Sequence, residues 1–305
     1  MHRTRTTMIS TTLALALLAL PALAAETKSP ATFATDILAP MSGAVTLSYS
    51  YNSDNPTTTI TDGTDTHKRE LDWQRSTMQA KAELGLGYGL QLGVAQSVEV
   101  GGKVTGSMNG VTDIDQKMSG GYNPLFELKW NPMQLLMPKH PLQLMASYRF
   151  KPKGIAAKSV YDDYTQHSGS VVASYALPEL GLRPFIGYDF TTYGADEEGF
   201  EQGHVNTGTI GSELTIMDGL TATASYSFAR RSGATEYLGG YNVQTIHLDA
   251  QYKIPGISFV DAYVSPFGEV MLNGSRTIDL GSSAWKATTS SYTGYKVGGL
   301  VKLVF

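Results

Sequence analysis

The end of the chain, from residue 292 to residue 305, alternates between two kinds of side chain. Successive side chains of a β-strand point to opposite faces of a sheet, so this stretch would present an apolar series on one face and a polar or glycine-bearing series on the other. The apolar series is Tyr295, Val297, Gly299, Val301, Leu303 and Phe305, and the opposite series includes Lys296, Gly298 and Lys302. Such a strand suits a sheet that separates lipid from water.

Eleven earlier segments repeat this alternation, and the connections between the segments alternate in length. Six connections of 12 to 23 residues alternate with five of 3 to 11 residues. Long loops on one rim, short turns on the other and an even strand number are typical of bacterial transmembrane barrels. The pattern predicts an all-β fold, a transmembrane antiparallel up-and-down β-barrel of about twelve strands. The predicted segments are 43–52, 76–86, 91–100, 121–130, 142–152, 168–177, 182–191, 205–216, 220–229, 242–253, 260–272 and 292–305.

A final amphipathic strand that stops on Phe305 resembles the C-terminal strand of Gram-negative outer-membrane β-barrels. The resemblance implies that both termini are periplasmic, that Phe305 is a signal read by the barrel insertion machinery, and that lipid and lipopolysaccharide surround the chain. In length and hairpin rhythm the chain is similar to the small monomeric porins of the oligogalacturonate type. It implies a location in the outer membrane and a role in transport.

The beginning of the chain predicts export. Arg3 and Arg5 precede an apolar run over residues 13–20 and a small-residue site at residues 22–24, the pattern of a Sec signal peptide over residues 1–25. We expect a flexible periplasmic lead-in over residues 26–42 and the barrel over residues 43–305. Without Arg3 and Arg5, 21 basic residues remain against 27 acidic ones, a net charge of about −6 that gives no indication of nucleic-acid binding.

Strand phase assigns the faces of the predicted barrel. The apolar series Ala222, Ala224, Tyr226 and Phe228 should face lipid, and Thr223 and its alternates should face the lumen. Aromatic residues near the long-loop ends would form an outer girdle. They are Tyr148, Phe150, Tyr188, Phe190, Tyr226 and Phe228.

The same phase predicts seventeen titratable pore-lining residues, eight basic, eight acidic and one histidine. These charges would either set up a transverse field across an open channel or pair and close a narrow lumen. The small residues of segment 168–177 leave room for a basic track of Arg149, Lys151 and Arg183, and the alternative is that these charges are scattered structural ion pairs. The predicted set is Lys81, Glu83, Glu99, Glu127, Lys129, Arg149, Lys151, Arg183, Asp189, Glu213, His247, Asp249, Lys253, Asp261, Glu269, Lys296 and Lys302.

Catalytic patterns are weaker. Asp113 and Asp115 resemble the paired aspartates of omptin surface proteases, but His247 and Asp249 stand in reversed order for the rest of that site. His167 and Ser168 are sequence neighbours and would project to opposite faces, so they cannot form a hydrolase dyad. The sequence contains no cysteine and no metal-ligand spacing. We expect no catalytic residues, no metal and no cofactor.

The sequence therefore favours a porin-like channel for passive diffusion of small hydrophilic solutes. The main alternative is a closed structural or assembly barrel, including an export partner for another polymer. An omptin-like surface hydrolase is the remaining alternative.

Overall fold

The computed structural model describes residues 35–62, 64–154, 164–195, 203–232, 240–257, 259–279 and 285–305, so the predicted signal peptide lies outside the described residues. The regular structure of the described part consists of sixteen strands, one short α-helix and one 3-10 turn, Pro178–Leu180. They are β1 (Gly43–Asp54), β2 (Thr57–Asp62), β3 (Thr66–Gly87), β4 (Leu90–Met108), β5 (Val111–Gly121), β6 (Leu125–Trp130), α1 (Pro132–Leu136), β7 (Leu142–Lys151), β8 (Gln166–Tyr175), β9 (Leu182–Tyr193), β10 (His204–Met217), β11 (Leu220–Arg231), β12 (Tyr241–Ile254), β13 (Asp261–Asn273), β14 (Arg276–Asp279), β15 (Trp285–Thr289) and β16 (Tyr292–Val304).

Twelve strands close into an antiparallel barrel, as the sequence predicts. Each pairs with its neighbours along the chain, and β1 closes the barrel by pairing with both β3 and β16. Residues Gly43 and Phe305 exchange two backbone hydrogen bonds, of 2.8 and 3.0 Å, where the first and last strands meet. We call the rim that contains Gly43 and Phe305 the terminal rim and the opposite one the far rim. Each predicted segment overlaps a barrel strand, and the fourth, 121–130, does so only over Leu125–Trp130.

The barrel is apolar outside and polar inside. Ala224 is exposed, and Tyr226 and Phe228 are each 40% exposed, on the outer face that the phase of β11 predicts. Tyr148, Tyr188 and Phe190 of the predicted aromatic girdle are also exposed on the outer face. Conversely, buried side chains inside the barrel are largely polar, among them Gln91, Glu99, Gln143, Ser168, Thr191 and Glu213. This distribution is that of a barrel with lipid outside and polar groups within.

The sequence pattern predicts loops for the longest connections. The structure has strands there instead, and these strands extend the wall beyond the far rim. Strand β3 begins at Thr66 and β4 ends at Met108, well beyond the predicted bounds. Strands β2, β14 and β15 add to β3, and β5 adds to β4. These segments are polar on both faces, so the lipid-facing alternation used to find strands does not detect them, although threonine-rich runs such as Thr57–Asp62 have high β-propensity.

Pro124 interrupts the fourth predicted segment. A proline cannot donate to a sheet ladder, and the chain leaves regular pairing between Gly121 and Leu125. Strand β5 pairs with the upper part of β4, β6 pairs with its lower part, and β6 alone continues the barrel to β7. Within the described residues β5 therefore has one unpaired edge above the barrel.

Short connections at the terminal rim contain turn-forming residues. Asp218 and Gly219 reverse the chain between β10 and β11, and Gly219 has the positive φ of 78° that favours glycine. The connection of residues 131–141 contains α1, which Asn131 caps by accepting a hydrogen bond from the Gln134 backbone N–H at 2.9 Å. None of the described helices has the length and hydropathy to cross a bilayer.

The face assignment of β11 leads to a first prediction. Arginine at a lipid-facing midplane position of a barrel costs about 2–4 kcal/mol, whereas a lumen position tolerates charge far better. We expect Ala224→Arg to lower the free energy of unfolding in lipid vesicles by that amount, because Ala224 is exposed on the outer face. Thr223→Arg, on the inner face of the same strand, is the matched control. Equal losses for the two variants in a urea titration would contradict the assignment.

Candidate functional site in the barrel interior

Strand register places all seventeen titratable residues predicted for the lumen on the inner face. Their role in lining a pore remains a prediction. Most of the charged groups lie in separate clusters, and within each cluster the partners come from the same strand or from strands one or two places apart. The described residues pair locally along the wall, an arrangement that differs from both a transverse field across an open channel and pairing across a narrow lumen.

The largest cluster, which we call the charge quartet, consists of Lys81 and Glu83 of β3 and Glu127 and Lys129 of β6. The Lys81 Nζ atom lies 2.8 Å from Glu83 and 2.7 Å from Glu127. The Lys129 Nζ atom lies 3.1 Å from Glu83 and 3.5 Å from Glu127. Each lysine therefore contacts both carboxylates, and the four charges cancel.

Strand β4 separates β3 from β6, and Gly93 lets their side chains meet across it. A Cβ atom at Gly93 would lie 3.5–3.6 Å from side-chain atoms of Glu83, Lys81 and Glu127, so the quartet fills the space above the glycine. Gln91 of the same strand donates a hydrogen bond of 2.8 Å to Glu83. The glycine between two strands with charged residues is the sequence signal for this contact. Alternation along one strand does not specify which strands flank Gly93, so it does not predict the contact.

A second cluster surrounds His247 of β12. The two ring nitrogens of His247 lie 2.9 Å from Asp249 and 3.1 Å from Glu269 of β13. Lys296 of β16 lies 3.3 Å from Glu269 and 5.4 Å from the centre of the Phe267 ring. This cluster stands on the β12–β13–β16 wall and is charge-balanced when the imidazole is protonated. Within the described residues, no group of three or more His, Asp or Glu side chains has the geometry of a metal site.

The predicted basic track is not a continuous row of cations. Arg149 pairs with Asp189, which also accepts a hydrogen bond from Thr191. Lys151 lies 5.0 Å from the centre of the Tyr164 ring. Arg183 pairs at 2.8 Å with Asp36, a residue before the first strand. The structure shows ion pairs at Arg149 and Arg183, whose partners phase along one strand does not reveal, and a solute track along the three cations remains a prediction.

Five of the seventeen inward titratable residues have not yet been placed. Glu99 accepts a hydrogen bond of 2.9 Å from the Tyr122 hydroxyl, and Lys253 pairs with Asp261 at 2.9 Å. Glu213 is buried beside Arg183 in the β9–β10 ladder. Lys302 and Lys81 stand on either side of Thr46 in β1.

A segment that the sequence assigned to the flexible lead-in occupies the lumen at the terminal rim. Residues 35–42, which we call the inner segment, precede β1 and include Ile37 and Leu38, which are 1% and 2% exposed. Leu38 belongs to a buried apolar cluster with Ala44, Tyr263 and Val304, inward residues of β1, β13 and β16. The expectation of flexibility is therefore wrong for this part of the lead-in, and residues 26–34 lie outside the described residues.

Amide side chains hold the backbone of the inner segment. Gln91 accepts from the Leu38 N–H at 2.8 Å, and Gln134 of α1 bonds to both the N–H and the carbonyl of Ile37. Asn131 donates to the Thr35 carbonyl at 2.7 Å. Buried backbone polar groups need such partners, and here the barrel wall and the turn after β6 supply them.

Gly85 of β3 permits the close approach of this backbone. A Cβ atom at Gly85 would stand 2.1 Å from the carbonyl oxygen of Ala39 and 2.8 Å from that of Leu38. Both distances are too short for a side-chain carbon. Both neighbouring atoms belong to the backbone, so no side-chain rotation could relieve the clash. The sequence signal for the inner segment is the apolar trio Ile37, Leu38 and Ala39 inside a polar stretch. The trio does not by itself predict a place in the lumen, because the wall that buries it forms only when the barrel closes.

Open space remains at the terminal rim beside the inner segment. A cavity of about 900 Å³ extends between the turn of residues 138–141 and the turn of residues 177–180. Asp36, Gln143 and Arg183 contribute polar groups to its lining. The inner segment thus occupies part of this end of the barrel and borders a polar cavity.

Aromatic and cationic side chains on the inner face line the far rim. They are not among the residues that strand phase predicts for the lumen. The Arg231 guanidinium lies 5.4 Å from the Tyr193 ring centre and 5.9 Å from that of Tyr241. The Arg276 guanidinium lies 5.3 Å from the centre of the same Tyr241 ring. These residues fall outside the predicted strand bounds, where phase was not applied.

The catalytic patterns are dispersed. Asp113 and Asp115 lie on β5, paired with Arg69 at 3.3 Å and Lys103 at 3.5 Å. His247 and Asp249 are on the inner face of β12. His167 and Ser168 project to opposite faces, as expected: His167 bonds to Tyr148 outside, and Ser168 to Thr191 inside. Nothing in these positions assembles an omptin-like site among the described residues.

No protein-family model matches the chain, and no curated protein shows significant sequence similarity to it. Among solved structures, the COG4313 outer membrane channel from Pseudomonas putida F1 matches with a TM-score of 0.57 at 11% identity, covering 92% of this chain and 100% of the channel. A FadL homologue from Pseudomonas aeruginosa matches with a TM-score of 0.51 at 8% identity, covering 90% of this chain and 95% of that one.

These matches confirm the predicted β-barrel fold, and the first is with an outer-membrane channel. The outer membrane protease OmpT from Escherichia coli has a TM-score of only 0.37 at 14% identity, covering 89% of this chain and 100% of the protease. At that level the likeness carries no argument for an enzyme.

Proposed function

We propose that this protein is an outer-membrane channel for passive diffusion of small hydrophilic solutes, with its terminal rim in the periplasm and the inner segment narrowing that exit. The observation that supports this most is the polar inner face of a closed barrel whose outer face is apolar. Water-filled barrels carry polar side chains inside, and twelve strands lie between the filled eight-stranded barrels and the open sixteen-stranded porins. The charge clusters stand along the wall, where they would contact a solute without changing the net charge of the passage.

One specific observation favours the closed structural or assembly barrel as a second candidate. The inner segment fills part of the terminal end, and Glu83, Glu99 and Glu213 are each less than 9% exposed. Side chains so covered leave little room for water around them. The two candidates differ in whether ions pass through the barrel in its resting state.

Single-channel recording in planar bilayers tests the proposal. Purified wild-type protein is expected to give discrete conductance steps, smaller than those of a sixteen-stranded porin because the barrel is narrower. The integrity of the sample is checked by electrophoresis in detergent, where a closed barrel migrates faster unheated than boiled. Intact barrel that inserts into the bilayer and yields no steps would reject the resting channel in favour of the closed barrel.

A further inference from the structure

We propose that His247 determines the ion selectivity of the channel, because its imidazolium neutralises two carboxylates on the lumen wall. This role rests on the proposed function and adds to it the residue that decides which sign of charge passes more easily. His247 is the seventh of the fourteen residues of β12, about midway between the two rims, so ions that cross the barrel pass it. Its charged neighbours lie on β12, β13 and β16.

Both ring nitrogens of His247 face a hydrogen-bond acceptor. The Nε2 atom lies 2.9 Å from Asp249 Oδ2, and the Nδ1 atom lies 3.1 Å from Glu269 Oε1. An ionised carboxylate can only accept a hydrogen bond, and a neutral imidazole has one N–H group and one lone pair. A neutral ring would therefore turn its lone pair toward one of the carboxylates, whereas the imidazolium donates to both. The geometry is that of the charged ring.

Neighbouring side chains hold the imidazole in this orientation. The Phe267 ring lies nearly parallel to it, with the ring planes tilted by 23° and the ring centres 6.2 Å apart, an offset arrangement that aromatic pairs favour. Phe267 in turn packs over Gly298 of β16, where a Cβ atom would lie 2.6 Å from the ring. Ser225 stands opposite His247 on β11 and adds no charge. Among the described residues, the charged groups around the imidazole are Asp249, Glu269 and Lys296.

The protonated imidazole balances the charge of this wall. With it, the cluster carries two cations and two carboxylates. Without it, Lys296 alone faces Asp249 and Glu269, and the net charge of the cluster is −1. The charge quartet differs, because two lysines balance its carboxylates and lysine stays protonated throughout the neutral range. His247 is therefore the group through which a proton changes the charge of the wall.

Ions in the lumen meet the charge of this cluster directly. Its four side chains are between 19% and 31% exposed on the inner face, so water and ions reach them. A wall with net negative charge attracts cations and repels anions, as rings of carboxylates do in cation channels, and a balanced wall favours neither. One uncompensated unit charge several ångströms from a passing ion changes the local concentration of that ion about threefold in water.

Reversal potentials of single channels in a salt gradient test this role, with the full-length mature protein at low ionic strength, where screening is weakest. We expect His247→Gln, which keeps a polar side chain without the charge, to increase the permeability ratio of cation to anion about threefold. In the double variant His247→Gln with Asp249→Asn, Lys296 and Glu269 balance each other, so the ratio should equal that of the wild type. Raising the pH toward the titration range of lysine removes the imidazolium proton, so the wild-type ratio should rise while that of His247→Gln stays constant.

Two results would overturn the role of His247. One is an unchanged permeability ratio in His247→Gln, and the other is an equal increase in the single and the double variant, which would assign the effect to the shape of the lumen rather than to its charge. Heat-modifiability on electrophoresis verifies folding, and His247→Asn replaces His247→Gln if the longer amide prevents it. Wild-type protein that inserts without current would reject the channel and its selectivity together, whereas a conducting wild type with either of the two results rejects the role of His247 alone.

Discussion

Gly85→Val is expected to increase the conductance of the barrel several-fold, because it removes the space that the inner segment occupies. The Cβ atom alone would meet the Ala39 carbonyl oxygen at 2.1 Å, and valine adds two methyl groups. The wall is a hydrogen-bonded ladder on both sides of β3, so the segment with fewer contacts gives way. Single-channel steps in planar bilayers measure the change.

Gly169→Val is the matched control for this variant. Gly169 lies in barrel strand β8, and a Cβ atom there has no neighbour within 4 Å, so the same substitution adds a side chain without displacing any group. We expect its steps to equal those of the wild type. A second variant that lacks residues 26–41 should reproduce the effect of Gly85→Val by removing the inner segment itself.

Unchanged steps in both the Gly85→Val and the truncated variants would show that the inner segment does not restrict current. Absence of current in all of them would instead support the closed barrel, since the lumen charges would then block it without help from residues 35–42. Because the deletion leaves the strands intact and the substitution leaves the chain length intact, agreement between the two excludes damage to the wall as the cause of a change.

The barrel strands could be predicted from sequence because each has one face toward lipid and the other toward the polar interior. Ala224 and Thr223 differ in polarity for a reason that is local to β11, and that reason repeats at every second residue of every barrel strand. Above the barrel both faces meet water, so the pattern disappears. Alternation therefore predicts loops where β2 and β5 lie, although their backbones pair in antiparallel ladders with β3 and β4.

Partners inside the barrel could not be predicted in the same way. Glu83 meets Lys129 because β3 and β6 flank one strand and because Gly93 in that strand has no side chain. That contact depends on which strands are neighbours and on their register, which alternation along one strand does not specify. The buried apolar cluster around Leu38 similarly combines residues from β1, β13 and β16, which come together only when the barrel closes.

The charge quartet and the inner segment share a residue, Gln91. Its amide nitrogen donates to Glu83 at 2.8 Å, and its amide oxygen accepts from the Leu38 N–H at 2.8 Å. The carboxylate of Glu83 thus fixes the orientation of the amide that holds the inner segment. A change in the charge of Glu83 should therefore affect both the stability of the wall and the hold on residues 35–42.

Glu83→Gln is expected to lower the free energy of unfolding by about 3 kcal/mol, because it removes one charge from a buried, mutually paired group. Glu83 is 8% exposed, and its loss leaves Lys81 and Lys129 with Glu127 as the one remaining carboxylate of the quartet. The glutamine has nearly the same volume, so the loss is electrostatic. Urea titration in lipid vesicles, followed by tryptophan fluorescence, measures it.

Two further variants decide whether charge balance is the cause. Asp115→Asn breaks the Lys103–Asp115 pair, in which both side chains are about half exposed, and should cost less than about 1 kcal/mol. In the double variant Glu83→Gln with Lys129→Met the remaining Lys81 and Glu127 still lie 2.7 Å apart and balance each other. We therefore expect the double variant to be more stable than Glu83→Gln alone. Additive losses in the double variant would mean that the quartet acts through packing, and that the lumen around it is wet enough to screen its charges.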